Sequence, residues 1–343
     1  MRYPWANTLL LLLLLSQLLT GLGGLLSGAD NFSWVLWLHG LGGYALAVLL
    51  YWKGVIIFHV FKRRWRWTVE RLAFIGLTLL LLAILATGWL WSYLGPLYLQ
   101  GMSLIVLHGF LAVALIGLLA WHTLAKWFIW RVPRSHDRRV VLYLGGLSLI
   151  GLALRQAAEP AKVLAALPGA ARRFTGSYET GSFSGIFPAT SWLFDHPEPV
   201  NPIAWRLVVE GAVEQPLSFS FAELEALTRQ DQTGLLDCTG GFYSEQIWSG
   251  LPLGYLLDLA RVKLTARSVT VVAVSGYGRR FPLTVAHSCL LASHVAGQPL
   301  SHDHGFPLRL VAPGYRGYDW IKWVTRIQIN ETSHLWQPLL PLQ

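Results

Sequence analysis

The chain has 343 residues, is 54% hydrophobic with mean hydropathy +0.46, and carries a formal charge of +9. That length predicts two domains, and that composition is too apolar for an ordinary soluble protein, so part of the chain is expected in a membrane. Residues 1–156 hold 13 Lys and Arg against Asp30, Glu70 and Asp137, a balance of +10, while residues 157–343 come to −1; basic residues confined to the apolar half read as topology signals and not as a nucleic-acid footprint.

Five apolar segments open the chain: roughly Thr8–Leu26, Ser33–Phe61, Leu72–Leu94, Met102–Trp127 and Val140–Leu154. The first four reach the ~20 residues that cross a hydrocarbon core as helix. Residues 1–26 have a basic start and a seven-leucine run, so a cleaved signal peptide and a retained anchor are both open; no small-x-small cleavage site is evident, which favours the anchor. Lys62, Arg63, Arg64, Arg66 and Arg71 fall between the second and third segments, and Lys126, Arg131, Arg134, Arg138 and Arg139 between the fourth and fifth; the first-second and third-fourth connections carry no basic residue. The expectation is a multi-pass protein of the inner cell membrane, in contact with lipid, with its N-terminus cytoplasmic and everything beyond about residue 157 on the periplasmic side.

Four histidines lie in these segments: His39 and His59 in the second, His108 and His122 in the fourth. A histidine near a helix end can be an interfacial polar group, but ionisable residues at membrane depth are costly and commonly functional. His108 and His122 are 14 residues apart, which on a helix is ~21 Å along the axis and within ~40° of one face. Depth pairs His39 with His108 on the outer side and His59 with His122 on the inner. This layout resembles the small di-haem cytochromes b, which implies two haem b groups exchanging electrons with quinone or quinol. The hairpins also form a weak repeat, Leu38-His39-Gly40 with Trp52-Lys53 against Leu107-His108-Gly109 with Trp121-His122, so Lys53 stands where the repeat has His122. His59 recovers an inner ligand only if Gly40, Gly42, Gly43 and Gly54 let the helix bend or unwind.

The fifth segment has only about 15 apolar residues before Arg155, short for a span. Arg138-Arg139 followed by a glycine-containing run resembles a twin-arginine export signal, with a pair of ordinary topology arginines as the alternative. Residues 157–190 are rich in Ala, Gly, Pro and Ser and read as linker. The predicted organisation is therefore a cytochrome b-like transmembrane domain over 1–130, the fifth segment and linker over 131–187, and a mixed α+β domain over 188–343. In that last region β-branched and aromatic runs such as Trp205–Val209 and Val269–Val274 alternate with turns and with short helices at Ala222–Leu227 and Leu253–Ala260.

Only two cysteines occur, Cys238 and Cys289. Cys289 in Cys-Leu-Leu-Ala reads as core. Cys238 could be a small buried hydrophobe as well, yet Gly240 and Gly241 let the backbone turn beside the sulfur and approach a bulky ligand, and a thiolate is a soft donor suited to a redox metal. Around it stand Leu236-Asp-Cys238-Thr-Gly-Gly and Trp248-Ser-Gly250-Leu-Pro252-Leu; further on come Asp303-His304-Gly305-Phe-Pro307-Leu-Arg309, Pro313-Gly314 and Ile321-Lys322-Trp323. In this order they resemble the sulfite-oxidase-type molybdopterin domain, which includes periplasmic methionine sulfoxide reductases. The resemblance implies molybdenum bound by Cys238 in a molybdenum-molybdopterin cofactor, with Thr239 beside it and with His304, Arg309 and Lys322 holding the pterin and its phosphate. It also implies a pterin contact from His196, where Asp195 replaces the family's asparagine.

Tyr315, Arg316 and Tyr318 read either as substrate entrance or as a solvated loop. No basic residue follows Cys238 directly, which suits a neutral S-oxide or N-oxide better than an anion, unless Arg279, Arg280 or Arg316 folds in from elsewhere. The functional expectation is a membrane molybdoenzyme acting on a small-molecule redox substrate. Oxidation of sulfite with electrons passed to quinone, and a pterin-binding module without turnover, are the alternatives.

Overall fold

The structure is a computed structural model that describes residues 4–63, 69–125, 138–193, 195–227 and 229–341. It divides into two compact units, Met1–Leu25 with Asp30–Tyr178, and Leu26–Ala29 with Glu179–Gln343.

The first unit is built from α1 (Pro4–Leu26), α2 (Ser33–Arg63), α3 (Val69–Leu94), α4 (Leu104–Ala125) and α5 (Arg138–Leu164). A helix satisfies every backbone polar group within its own segment, the one economical state for runs this apolar. Five stretches are long and apolar enough to cross a membrane: Trp5–Leu26, Asp30–Val55, Leu72–Leu94, Leu104–His122 and Arg139–Leu164. Between α3 and α4 lies a small hairpin, β1 (Tyr98–Leu99) with β2 (Met102–Ser103), whose turn residues Gln100 and Gly101 both have positive φ, as a two-residue hairpin requires. α3 packs on α4 and α2 on α5. Gly151 of α5 sits against Leu41 O and Ala45, where a Cβ would come within 2.9 Å of that oxygen, so a small residue sets the approach of the two helices. Ala6, Leu9 and Leu13 of α1 pack with Ala45, Leu46 and Leu49 of α2 and Leu147 of α5.

Two expectations change here. α5 does not stop near Leu154 but runs to Leu164, taking in the start of the predicted linker, because Ala157, Ala158 and Ala161 are strong helix formers and Glu159 bridges Arg155 and Lys162 a turn to either side. α2 stays helical through Gly40, Gly42, Gly43 and Gly54, so the glycines do not unwind it, and His39 and His59 stand about 160° apart around the helix.

The second unit is α+β. After the two-residue β3 (Tyr178–Glu179), which straddles the unit boundary in sequence, come β4 (Arg206–Gly211), β5 (Leu217–Ser220), α6 (Phe221–Glu225), β6 (Gln230–Asp237), β7 (Phe242–Pro252), α7 (Leu253–Leu259), β8 (Ser268–Ala273), β9 (Gly278–Pro282), α8 (Leu283–Ala286), β10 (Leu290–Val295), β11 (Gln298–Pro299), β12 (Arg309–Val311) and β13 (Val324–Asn330). One sheet has the order β5-β4-β13-β8-β9, antiparallel except for the parallel pair β4 and β13. In the other, β7 lies between β6 and β10, and the far side of β10 carries β12 and then β11. A continuous core of Val, Leu, Ile, Trp and Phe fills this unit, with Trp248 and Trp320 edge to face at 5.6 Å near its centre.

The Trp248-Ser-Gly250 motif has a packing reason. A Cβ on Gly250 would lie 2.0 Å from Leu291 O and 2.6 Å from Ala292 Cα, so only glycine lets β7 and β10 meet at that register. Cys289 is buried core, as expected, and burial pushes its thiol up to about 12.

Candidate active site

Cys238 ends the β6–β7 hairpin, one residue past the last ladder pair, Asp237 with Tyr243. Its N–H donates to Phe242 O (2.9 Å) and its carbonyl accepts from Gly241 N–H (3.1 Å), with Gly241 at φ +100° closing the turn. Gly240 N–H donates to the sulfur at 3.2 Å, and Thr190 Oγ1 lies 3.3 Å from it. The sulfur is thus held in a fixed position in which it can serve as a soft metal ligand. Gly317 passes so close that a Cβ there would be 3.1 Å from Cys238 Cα. Arg316 Nη1 is 2.7 Å from Asp237 Oδ1 and Nη2 is 3.5 Å from Cys238 O, both side chains being almost fully buried. One positive charge therefore does reach the cysteine's neighbourhood, balanced by a carboxylate.

A group of buried cations is held beside it. Arg309 opens β12 with 5% of its surface exposed; its guanidinium lies 5.4 Å from the Trp248 ring centre, Nη1 donates to His304 O (3.0 Å), and Nε is buried with no hydrogen-bond partner. Burial lowers it to about 10. Lys322 Nζ donates to Ser191 Oγ (2.8 Å) and Asp303 O (2.9 Å) and lies 4.1 Å from the Trp323 ring centre. Burial, and then Arg309, bring it down to about 7. Among the described residues neither cation has a carboxylate at ion-pair distance. His304 is fixed by Ser301 Oγ at Nδ1 (2.8 Å) and Phe187 O at Nε2 (3.0 Å), and burial pushes its imidazole below the usual range. Gly305, at φ +112°, lets this loop pass Lys322, where a Cβ would sit 3.0 Å from Lys322 Cβ. Trp323, buried and at φ +52°, shows the backbone held in an uncommon conformation beside the lysine.

Cys238, His304, Arg309 and Lys322 thus come from distant parts of the sequence into one unit. Thr239 is half-buried in the turn. His196 is exposed, whereas its neighbour Asp195 is buried with Oδ1 unpartnered. Tyr315 and Tyr318 are not a solvated loop: Tyr318 is buried and packs on Trp192 (5.4 Å), and Tyr315 packs on Phe281 (5.3 Å). Arg279 pairs with Asp319 (2.8 Å) and Arg280 binds Thr270 and Thr332, so both serve structure. Thr190, Ser191 and the Asp237–Arg316 pair were not foreseen; their only signal is long-range contact, which no local spacing encodes.

The helical unit holds a second site. His39 and His108 face each other with ring centres 6.1 Å apart and planes 78° apart. Thr20 Oγ1 is 3.1 Å from His39 Nδ1 and Thr87 Oγ1 is 3.4 Å from His108 Nδ1. Thr20 already donates its hydroxyl to Ser16 O at 2.7 Å and so accepts from His39 Nδ1–H, while His108 Nδ1–H donates to Ile84 O at 3.0 Å with Thr87 alongside; in both histidines this leaves Nε2 to face away with its lone pair. Gly21 and Gly88 follow the threonines, where a Cβ would press on the rings at 3.1 and 3.2 Å. Thr-Gly in one helix and Leu-His-Gly in the next is the hairpin repeat made physical. His122 sits half-buried in the last turn of α4. The side chains of His59 and Arg138 lie outside the described residues, as do Arg64, Arg66, Lys126, Arg131 and Arg134 entirely.

Among the described residues no three His, Cys, Asp or Glu side chains group to hold a metal, so a metal on Cys238 needs a cofactor that brings further donors, and the orphaned Arg309 Nε and unpaired Lys322 suit one that carries a phosphate. That combination describes a redox domain built around a large anionic cofactor. Residues 194–336 match the family model described as oxidoreductase molybdopterin binding domain. The uncharacterized oxidoreductase YuiH of Bacillus subtilis is 33% identical over 143 residues, 41% of this chain and 72% of that one. Mitochondrial sulfite oxidase of Rattus norvegicus is 31% identical over 172 residues, 40% of this chain and 32% of its own length. The sulfane dehydrogenase SoxCD of Paracoccus pantotrophus aligns at 30% identity over 39% of this chain and 40% of that one, with a TM-score of 0.37. The chain belongs to the molybdopterin-binding oxidoreductase family and is an enzyme of the sulfite-oxidase type, so the module without turnover is set aside.

Two outcomes follow. Cys238→Ser will lose bound molybdenum and activity, whereas Cys289→Ser keeps both, as metal analysis and turnover will show. Lys322 titrates near 7 when folded and near ~10.4 when unfolded; between these values the unfolded chain binds a proton that the folded chain does not. Stability of the cofactor-free protein therefore rises with pH from about 7 to about 10. Denaturation midpoints will show that slope, and Lys322→Met will flatten it.

Proposed function

We propose that this chain is a membrane-bound molybdoenzyme that takes electrons from quinol through haem b and reduces a neutral or zwitterionic S-oxide or N-oxide outside the cytoplasm. The observation that carries the reading is one polypeptide that holds both Cys238 beside buried cations and the facing His39/His108 pair, each ring anchored through Nδ1. Five spans and an outward surface of exposed Leu12, Leu15, Leu19, Leu79, Leu82, Val113, Val141, Leu142 and Leu149 support a lipid environment. The loop arginines support an inner-membrane protein with a periplasmic catalytic domain.

Cys238 would hold molybdenum-molybdopterin, with Arg309 and Lys322 on its phosphate, and the group would supply two-electron oxygen-atom chemistry; His39 and His108 would hold haem b, which would supply one-electron transfer. The protein's part is geometric and electrostatic. Gly240 N–H and Thr190 fix the sulfur, Trp248 and Phe187 wall the cation group, and Asp237 cancels Arg316. That cancellation favours an uncharged substrate. Overall, the S-oxide takes two electrons and two protons and leaves as sulfide and water. Because α2 stays helical and His59 stands about 160° around it from His39, a second, inner haem on His59 and His122 is not proposed.

A second reading, oxidation of sulfite with electrons passed to quinone, has Arg316 in its favour, since a buried arginine beside the cysteine could meet an anion if Asp237 released it. The test is to reduce the haems of the purified chain, remove excess reductant, and add substrates one at a time. Re-oxidation of the haem band by methionine sulfoxide or an N-oxide is expected; reduction of the oxidised band by sulfite would overturn the proposed direction.

A further inference from the structure

A third concentration of charge, in the helical unit, takes no part in the sites above. Arg155, Glu159 and Lys162 lie on the last turns of α5, and Arg172 follows it. Arg155 Nη1 is 3.4 Å, Lys162 Nζ 2.6 Å and Arg172 Nη2 3.5 Å from the one carboxylate of Glu159. Arg172 also donates to Ser92 Oγ, and the Tyr44 and Tyr93 hydroxyls meet at 2.6 Å, with Tyr93 under the Lys162 ammonium. Lys162 is 1% exposed.

Three cations share one anion, so two positive charges remain unbalanced. Among the described residues of this unit no other acid reaches them: Asp30 pairs with Arg173 at 2.6 Å, and Glu70 precedes Ser92 on α3 by 22 residues or about 33 Å, while Asp137 lies outside the described residues. Lys162 is the fully buried member, while the side chains of Arg155, Arg172 and Glu159 are 15%, 21% and 39% exposed, so the excess charge lies open at one side to an anionic partner.

The position of Arg155 says which partner. Its guanidinium rests on Gly40, the residue after His39; a Cβ there would be 2.5 Å from Nη1, so glycine makes room for the cation beside the histidine. Trp37 lies 5.7 Å from the guanidinium carbon. Two buried polar atoms near this spot have no hydrogen-bond partner, Arg155 Nε and Gln17 Nε2, the latter pressed against Gly42. A ligand that is dianionic, planar enough to reach the His39/His108 pair, and edged with acceptors meets all of these conditions at once.

We infer that Arg155, Lys162 and Arg172 bind the two propionate carboxylates of the haem ligated by His39 and His108, an inference that rests on the haem reading above. Cations placed there stabilise the reduced haem, which carries one positive charge fewer than the oxidised form, and so raise its midpoint potential. A phospholipid phosphate is the competing anion.

The test is a potentiometric titration of the haem band in the purified full chain, together with haem and phospholipid content per chain. Arg155→Gln and Lys162→Met should retain haem but shift its one-electron equilibrium at least tenfold toward the oxidised form, 59 mV lower; Arg155→Lys should restore most of the shift. Unchanged potentials with haem present would overturn the anchor while leaving the cytochrome standing, and a fall in bound phospholipid in the same variants would assign the cluster to a lipid headgroup. Wild-type chain without haem would overturn both readings, and His39→Ala, which should lose this haem, marks that outcome.

Discussion

Burying a cation without a carboxylate beside it costs several kcal/mol unless a ligand supplies the missing charge. This protein does it at Arg309 and Lys322, and in the helical unit it gives three cations a single carboxylate. Arg309 and Lys322 are enclosed by Trp248, Trp323 and neutral oxygens, and Arg155, Lys162 and Arg172 crowd one glutamate. Neither arrangement suits a chain that folds for stability alone. The first suits a preformed receptor for the anionic molybdopterin cofactor, whose binding energy offsets the desolvation, and the same logic underlies the anion proposed for the second; aromatic faces hold the cations in place meanwhile.

Cys238 and the His39/His108 pair share a second device, which is to fix one atom by spending a neighbour's hydrogen bond. At Cys238 the Gly240 N–H is turned onto the sulfur by a hairpin that only glycines can close. At His39 a threonine whose hydroxyl is already committed to its own helix accepts from Nδ1, and at His108 the Ile84 carbonyl does, so the neighbouring helix sets each tautomer. Preorganisation of this kind keeps a ligand ready before the metal arrives.

What was readable from the sequence divides along the same physical line. Cys238, His304, Arg309 and Lys322 sat in local motifs whose spacing reflects turn and strand geometry, and the helices announced themselves by apolar length. The hairpin repeat was visible as Leu-His-Gly, but its partner Thr-Gly was not, because a threonine that back-bonds to its own helix leaves no periodic trace. Thr190 and Arg316 reach Cys238 across 48 and 78 residues of chain, a closure no local pattern encodes. The extension of α5 to Leu164 was missed because Arg155, Glu159 and Lys162 look like the end of a span when read as charges, and like mutual i, i+4 and i, i+3 support when read as helix.

The proposed function requires electrons to pass between the helical unit and the Cys238 site within one polypeptide. Stopped-flow mixing of pre-reduced protein with the accepted substrate tests this directly, read at the haem band in wild type and in Cys238→Ser. The account predicts rapid re-oxidation in the wild type and a band that stays reduced in the variant with its haem content unchanged. Equal re-oxidation in both proteins would contradict it.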